Sequence, residues 1–89
     1  MDTKYTFISD PGHAWLKVPH ADLIKAGVVH DISSCSYMDS AFVYLEEDCD
    51  APCFLEAMAL KGRDMPETFE GLTHIRQLPP YTPVYLSAR

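Results

Sequence analysis

The stretch Ala41–Gly62, AFVYLEEDCDAPCFLEAMALKG, decides how this chain folds. Ala41 to Leu45 is an apolar and aromatic run of strand length, with Phe42 and Tyr44 on one face and Val43 and Leu45 on the other. Glu46-Glu47-Asp48-Cys49-Asp50 then places four carboxylates in five positions. From Ala51 to Lys61, Phe54, Leu55, Met58 and Ala59 recur on one helical face, Glu56 and Lys61 fall on the solvent side, and Gly62 stops the element. Asp50 stands where an N-cap belongs, and Pro52 sits in the first turn, where a missing N–H does little harm. The stretch therefore reads as a central strand, an acidic corner and a helix.

The segments before it add a small antiparallel sheet. Lys4 to Ser9 alternates, with Tyr5 and Phe7 on one face and Thr6 and Ile8 on the other. Asp10-Pro11-Gly12-His13 is a turn: Pro11 presets φ for the first central position and Gly12 tolerates a positive φ at the second. Ala14 to Val18 returns as the second strand of a hairpin, with Trp15 as a core anchor and Lys17 outward. His20 to Ala26 fits a two-turn helix that buries Leu23 and Ile24, and Gly27 sits where a left-handed residue would end it. Val28 to Ile32 is a short buried run or loop, and Asp39-Ser40 is a weak turn signal before the central strand.

Beyond the helix, Thr68 to Ile75 holds a candidate strand interrupted at Gly71. Arg76 to Arg89 carries Pro79, Pro80 and Pro83, which exclude a central strand and predict an extended arm packed on the surface. Residues 1–89 make one small α+β domain, with a hairpin plus the strand 41–45 packed on helices at 20–26 and 51–61. A chain of this mass exposes about 5,200 Å² when folded, enough for one core and no more.

Thirteen acids against seven bases give a formal charge of −6. The bases are scattered singly, so nucleic acid is not expected as a direct ligand, since phosphates must be neutralised by grouped Lys or Arg. The charge serves solubility in any case, and it also suits contact with a basic protein surface. No apolar run approaches the roughly 20 residues that span a bilayer. The N-terminus lacks the pattern of a secretory signal. Three cysteines without such a signal are read as reduced thiols in a cytoplasm.

The corner acids Glu46, Glu47, Asp48 and Asp50 offer hard oxygen ligands, yet adjacent strand positions point to opposite faces and the spacing of a calcium loop is absent. Their proximity to a helix N-terminus explains them structurally, because the dipole favours negative charge there. Cys49 and Cys53 form a C-x₃-C pair, but neither Cys35 nor His13, His20, His30 or His74 supplies the second pair that zinc prefers. No metal or cofactor is expected. Asp10 and His13 flank the hairpin turn as a possible acid–base couple, although an aspartate there also bonds the turn backbone. The common signatures of hydrolases, nucleotide-binding loops and metalloproteases are missing, so the reading leans against an enzyme. Leu78-Pro79-Pro80-Tyr81 is either an arm docked on its own domain or a short ligand for an aromatic groove.

Asp10-Pro11-Gly12-His13-Ala14-Trp15-Leu16-Lys17-Val18-Pro19 and Tyr44-Leu45-Glu46-Glu47-Asp48-Cys49-Asp50 resemble a family of small proteins encoded by bacteriophages, prophages and plasmids. Its members typically read DPGHGWL, then V-P and a short helix, then an S-Y pair, then YLEEDCD. Ser36-Tyr37 and Ile75-Arg76 fall in similar places, Ala14 replaces the usual glycine, and the proline-rich end is less typical. The resemblance implies an origin on a phage or mobile element and action in the bacterial host cytoplasm. It carries over no catalytic residues.

Charge, corner and resemblance together lead to one expectation: an accessory protein that binds and inhibits a host complex, such as a nucleic-acid-binding anti-phage defence of the CRISPR type. The expected contact residues are Glu46, Glu47, Asp48, Asp50, Asp64, Glu67 and Tyr81. Two alternatives stand beside it. One is a small metal-dependent or nucleotide-modifying enzyme using Asp10, His13 and the acidic cluster; the other is a virion or dimeric adaptor module.

Overall fold

The computed structural model describes residues 5–9, 12–58 and 75–83. Alternating apolar residues pair first. β1 (Thr6–Ser9) and β2 (Ala14–Pro19) form the expected hairpin, in antiparallel register with Phe7 opposite Leu16 and Ile8 opposite Trp15. Asp10 and Pro11 of its turn lie outside the described residues. β2 then pairs with β4 (Phe42–Glu46), bringing Leu16 opposite Leu45 and Val18 opposite Val43. A two-residue strand, β3 (Tyr37–Met38), closes the far side, and the sheet runs in the order β1-β2-β4-β3, all antiparallel.

The fold is thus the α+β arrangement expected, with β3 as an addition. Two residues with one polar flank carry no usable periodicity. What makes them a strand is the turn that follows, in which the Asp39 carboxylate accepts the amides of Ala41 (2.9 Å) and Phe42 (2.7 Å) through one oxygen and the Tyr44 phenol (2.8 Å) through the other. Burial pushes the Asp39 carboxyl pKa upward, but the amides of Phe42 and Ala41 and the Tyr44 hydroxyl outweigh it and hold the group below its ordinary range.

Both helices cover one face of the sheet. α1 (His20–Ala26) has the predicted bounds and ends at Gly27 with φ 77, a left-handed value that glycine adopts without a Cβ penalty. α2 (Asp50–Ala57) starts one residue before the expected helix and ends at Ala57, with Met58 as its C-cap, short of the expected Lys61; residues 59–61 lie outside the described ones. Leu16, Val18, Val43 and Leu45 from the sheet meet Leu23 from α1 and Ala51 and Phe54 from α2 in the main core. Tyr5 joins them edge-on to Phe54 at 5.2 Å between ring centroids. Removing any of these large side chains from water contributes on the order of 1.5–3 kcal/mol.

The other face of the sheet has its own smaller cluster of Ile8, Trp15, Tyr44 and Ile75, flanked by Tyr37, Phe42 and Leu78. Trp15 is an anchor as expected, but of this second layer. Lys17 lies on the same face and stands over the Phe42 ring at 4.3 Å. A single 3-10 turn, Ile75–Gln77, delivers Ile75 to this layer. The strand expected over residues 68–75 otherwise lies outside the described residues.

From there the chain runs along the outer edge of β3. Met38 donates to the Pro79 carbonyl (3.1 Å), Tyr81 donates to the Ser36 carbonyl (2.8 Å), and Tyr37 bridges to Pro80. The first part of the arm is therefore docked on its own domain, where it occupies the hydrogen-bonding edge of a short strand. Residues 84–89 of the arm lie outside the described ones.

Candidate functional site

The acidic corner separates into carboxylates that hold the fold and carboxylates that face solvent. Asp50 belongs to the first group, which corrects two expectations. It is the first residue of α2, and Cys49 occupies the N-cap position without a side-chain cap bond. Asp50 is also 3% exposed and cannot contribute to an outward surface. Its carboxylate turns inward to the loop before β3, accepting the Ser33 amide (3.1 Å), the Ser33 hydroxyl (2.8 Å) and the Ser36 hydroxyl (2.5 Å). Ser36 is fully buried and uses its oxygen twice, since it also accepts the Glu46 amide at 2.9 Å. A buried carboxylate is tolerated only when its lone pairs are filled in this way. These four hydrogen bonds pin the loop, the end of β4 and the start of α2 together.

Tyr81 is the second correction. It is 4% exposed and its phenol donates to the Val29 carbonyl at 2.6 Å, so it is a core residue rather than a contact residue. Burial, and then the charge of Asp50, push its pKa above the usual phenol range.

Glu46 is partly consumed. One of its oxygens accepts the amides of Asp48 and Cys49, both at 2.9 Å, which ties the turn between β4 and α2. The other lies 3.6 Å from His13 Nδ1. Asp10, the partner expected for His13, lies outside the described residues. The carboxylate placed beside His13 is Glu46. Asp48 is exposed and Glu47 half-buried. Asp64 and Glu67 lie outside the described residues.

An open cleft of about 380 Å³ lies against the corner. Trp15 and Tyr37 line it from the second sheet face, with their rings edge to face at 6.3 Å. Glu46, Asp48 and His13 supply its polar rim, and Arg76 lies over the Trp15 ring at 5.2 Å. Trp15 is 2% exposed, and its indole N–H has no acceptor among the described residues. Two exposed thiols, Cys35 and Cys49, complete the wall. Loss of hydration first, and then the charge and hydrogen bond of Glu46, push the Cys49 thiol above its ordinary pKa. Cys53 is likewise raised, by burial and then by Asp31 and Asp50, so the helix N-terminus does not activate it as its position in the first turn would suggest. Among the described residues no three His, Cys, Asp or Glu side chains are grouped so as to hold a metal ion.

The residues that the sequence did not single out as one site are Trp15, Tyr37, Cys35 and Arg76. They come from β2, β3, the loop before β3 and the 3-10 turn, and only their meeting marks them. No helix among the described residues is long and apolar enough to cross a membrane. Comparison of the chain with protein-family models, with curated proteins and with solved structures returns no match.

Proposed function

We propose that this chain is a binding protein of phage or mobile-element origin that acts in the bacterial host cytoplasm by docking on a host protein complex and inhibiting it. An anti-phage defence of the CRISPR type, whose working surface is basic because it holds nucleic acid, is the preferred target. The observation that carries the reading is the division of labour at the corner. Asp50 is used up inside, whereas Asp48 is exposed, Glu47 half-buried, and Glu46 stands at the rim of an aromatic-lined cleft with one oxygen toward His13. Acids beside aromatic rings suit a basic protein surface, because charge steers the encounter and rings supply contact area at little entropy cost. The formal charge of −6 extends the same field over the molecule.

The test is affinity capture of the host complex on the immobilised chain, together with the activity of the captured complex on its nucleic acid. The wild-type chain is expected to capture and silence the complex, and the pair Glu47→Lys and Asp48→Lys to lose both effects. Capture and inhibition that survive the charge reversal would refute an acidic docking surface.

A second reading rests on His13 and Glu46. At 3.6 Å in a cleft the two groups are within ion-pair reach but short of a hydrogen bond, an arrangement that a substrate would have to tighten for acid–base work in a small enzyme. His13→Gln leaves a binding protein's inhibition intact but abolishes turnover by such an enzyme.

A further inference from the structure

We infer that the cleft is a receptor for one arginine side chain presented on an extended peptide segment of the partner, and that Arg76 of this chain holds that place until the partner arrives. The inference rests on the docking surface proposed above and names what its cleft takes. Three observations point the same way. The Arg76 guanidinium already lies over the Trp15 ring at 5.2 Å, within the range in which an aromatic face attracts a cation, so the site takes this group from its own chain. The rim carries two carboxylates, Glu46 and the exposed Asp48. Glu46 is also the leading charge that raises the Cys49 thiol, which marks a negative potential at the cleft wall.

The third observation bears on the peptide rather than on its side chain. Trp15 is buried and lines the cleft, yet its indole N–H has no acceptor among the described residues. A buried donor without an acceptor is costly, and a ligand that offers one gains from it. A main-chain carbonyl beside the incoming arginine offers such an acceptor. The guanidinium then meets Glu46 and Asp48 while the carbonyl meets the indole, and Arg76, an exposed residue, gives up its place over the ring.

The chain has one tryptophan, so its indole N–H gives a single assignable signal in a ¹⁵N-correlated NMR spectrum. The probe is acetyl-Gly-Arg-Gly-amide, titrated at constant ionic strength, with the neutral isostere acetyl-Gly-citrulline-Gly-amide as control. A saturable downfield shift of the indole proton is expected with the arginine peptide and none with the citrulline peptide. Asp48→Asn is expected to weaken binding about three-fold, and Arg76→Gln, which removes the placeholder, to tighten it about three-fold. Equal shifts with both peptides, no saturation, or an unchanged affinity in Arg76→Gln would overturn the inference. If the peptide fails while capture of the host complex still depends on Glu47 and Asp48, the arginine receptor falls and the acidic surface stands. If the peptide binds while capture ignores those acids, the docking reading falls alone.

Discussion

Ser36→Ala removes one oxygen atom and tests the internal account of the corner. Ser36 is fully buried, donates to Asp50 at 2.5 Å and accepts from the Glu46 amide at 2.9 Å. A hydrogen bond to a charged group contributes about 1.5–3 kcal/mol, and a buried amide left without an acceptor costs about 1–3 kcal/mol. Asp50 keeps its two contacts to Ser33, which limits the loss. The expected destabilisation is therefore about 3 kcal/mol, against a total that for a chain of this length is on the order of 4–13 kcal/mol. Urea unfolding followed by Trp15 fluorescence should show the midpoint falling by roughly 2–3 M, for a slope of about 1–1.5 kcal/mol/M. Ser34→Ala, at an exposed neighbour, should stay within about 0.5 kcal/mol of wild type. In a double-mutant cycle, Ser36→Ala and Asp50→Asn should be coupled by at least about 1 kcal/mol, because they share one bond. A Ser36→Ala protein as stable as the Ser34→Ala control would refute the claim that this hydroxyl joins the loop, β4 and α2.

Tyr81→Phe keeps the buried ring and loses the bond to the Val29 carbonyl, so a loss of about 1 kcal/mol is expected in the same unfolding assay. The amides of Met38 and Tyr81, which pair β3 with the arm, should exchange faster with deuterium in that variant if the phenol anchors the arm. Asp39 sets an acid limit. Its pKa is depressed below the ordinary 3.8 in the folded chain, so its contribution is fully present above that value and is lost as pH falls through the lower folded pKa. Wild type should exceed Asp39→Asn in stability at pH 7, and the gap should close toward pH 2; a gap independent of pH would contradict the assignment. Because Cys49 is raised above its ordinary pKa, it should be alkylated by iodoacetamide at pH 7.5 more slowly than a model thiol, and Glu46→Gln should speed it, as peptide mass spectrometry would record.

Much of the architecture is legible along the chain because each piece of it is local. The alternation of Phe7 and Ile8 in β1, and of Phe42 and Tyr44 against Val43 and Leu45 in β4, assigns faces to both strands, and the structure keeps every one of those assignments. α1 begins after Pro19 and ends at Gly27 as its residues dictate, since both signals act within one turn of the backbone. The acidic corner is also plain in the sequence, as four charges within five consecutive positions must be near one another whatever the fold.

What the tertiary structure alone decided is the use made of those residues. Asp50 has the composition of an N-cap, but its partners Ser33 and Ser36 lie 17 and 14 residues away, and a bond over that separation leaves no local mark. Tyr81 reads as an exposed arm residue and is instead held by Val29, 52 positions earlier. The cleft is the strongest case: His13 and Trp15, Tyr37, Glu46 and Arg76 come from four segments and acquire a shared chemistry only when β2, β3, β4 and the 3-10 turn are packed. Sequence periodicity determines which way a side chain faces because the backbone repeat is short-range. Which other side chains it meets depends on long-range packing, and in this protein that packing places Asp50 inside the fold and Glu46 and Asp48 at the rim of the cleft.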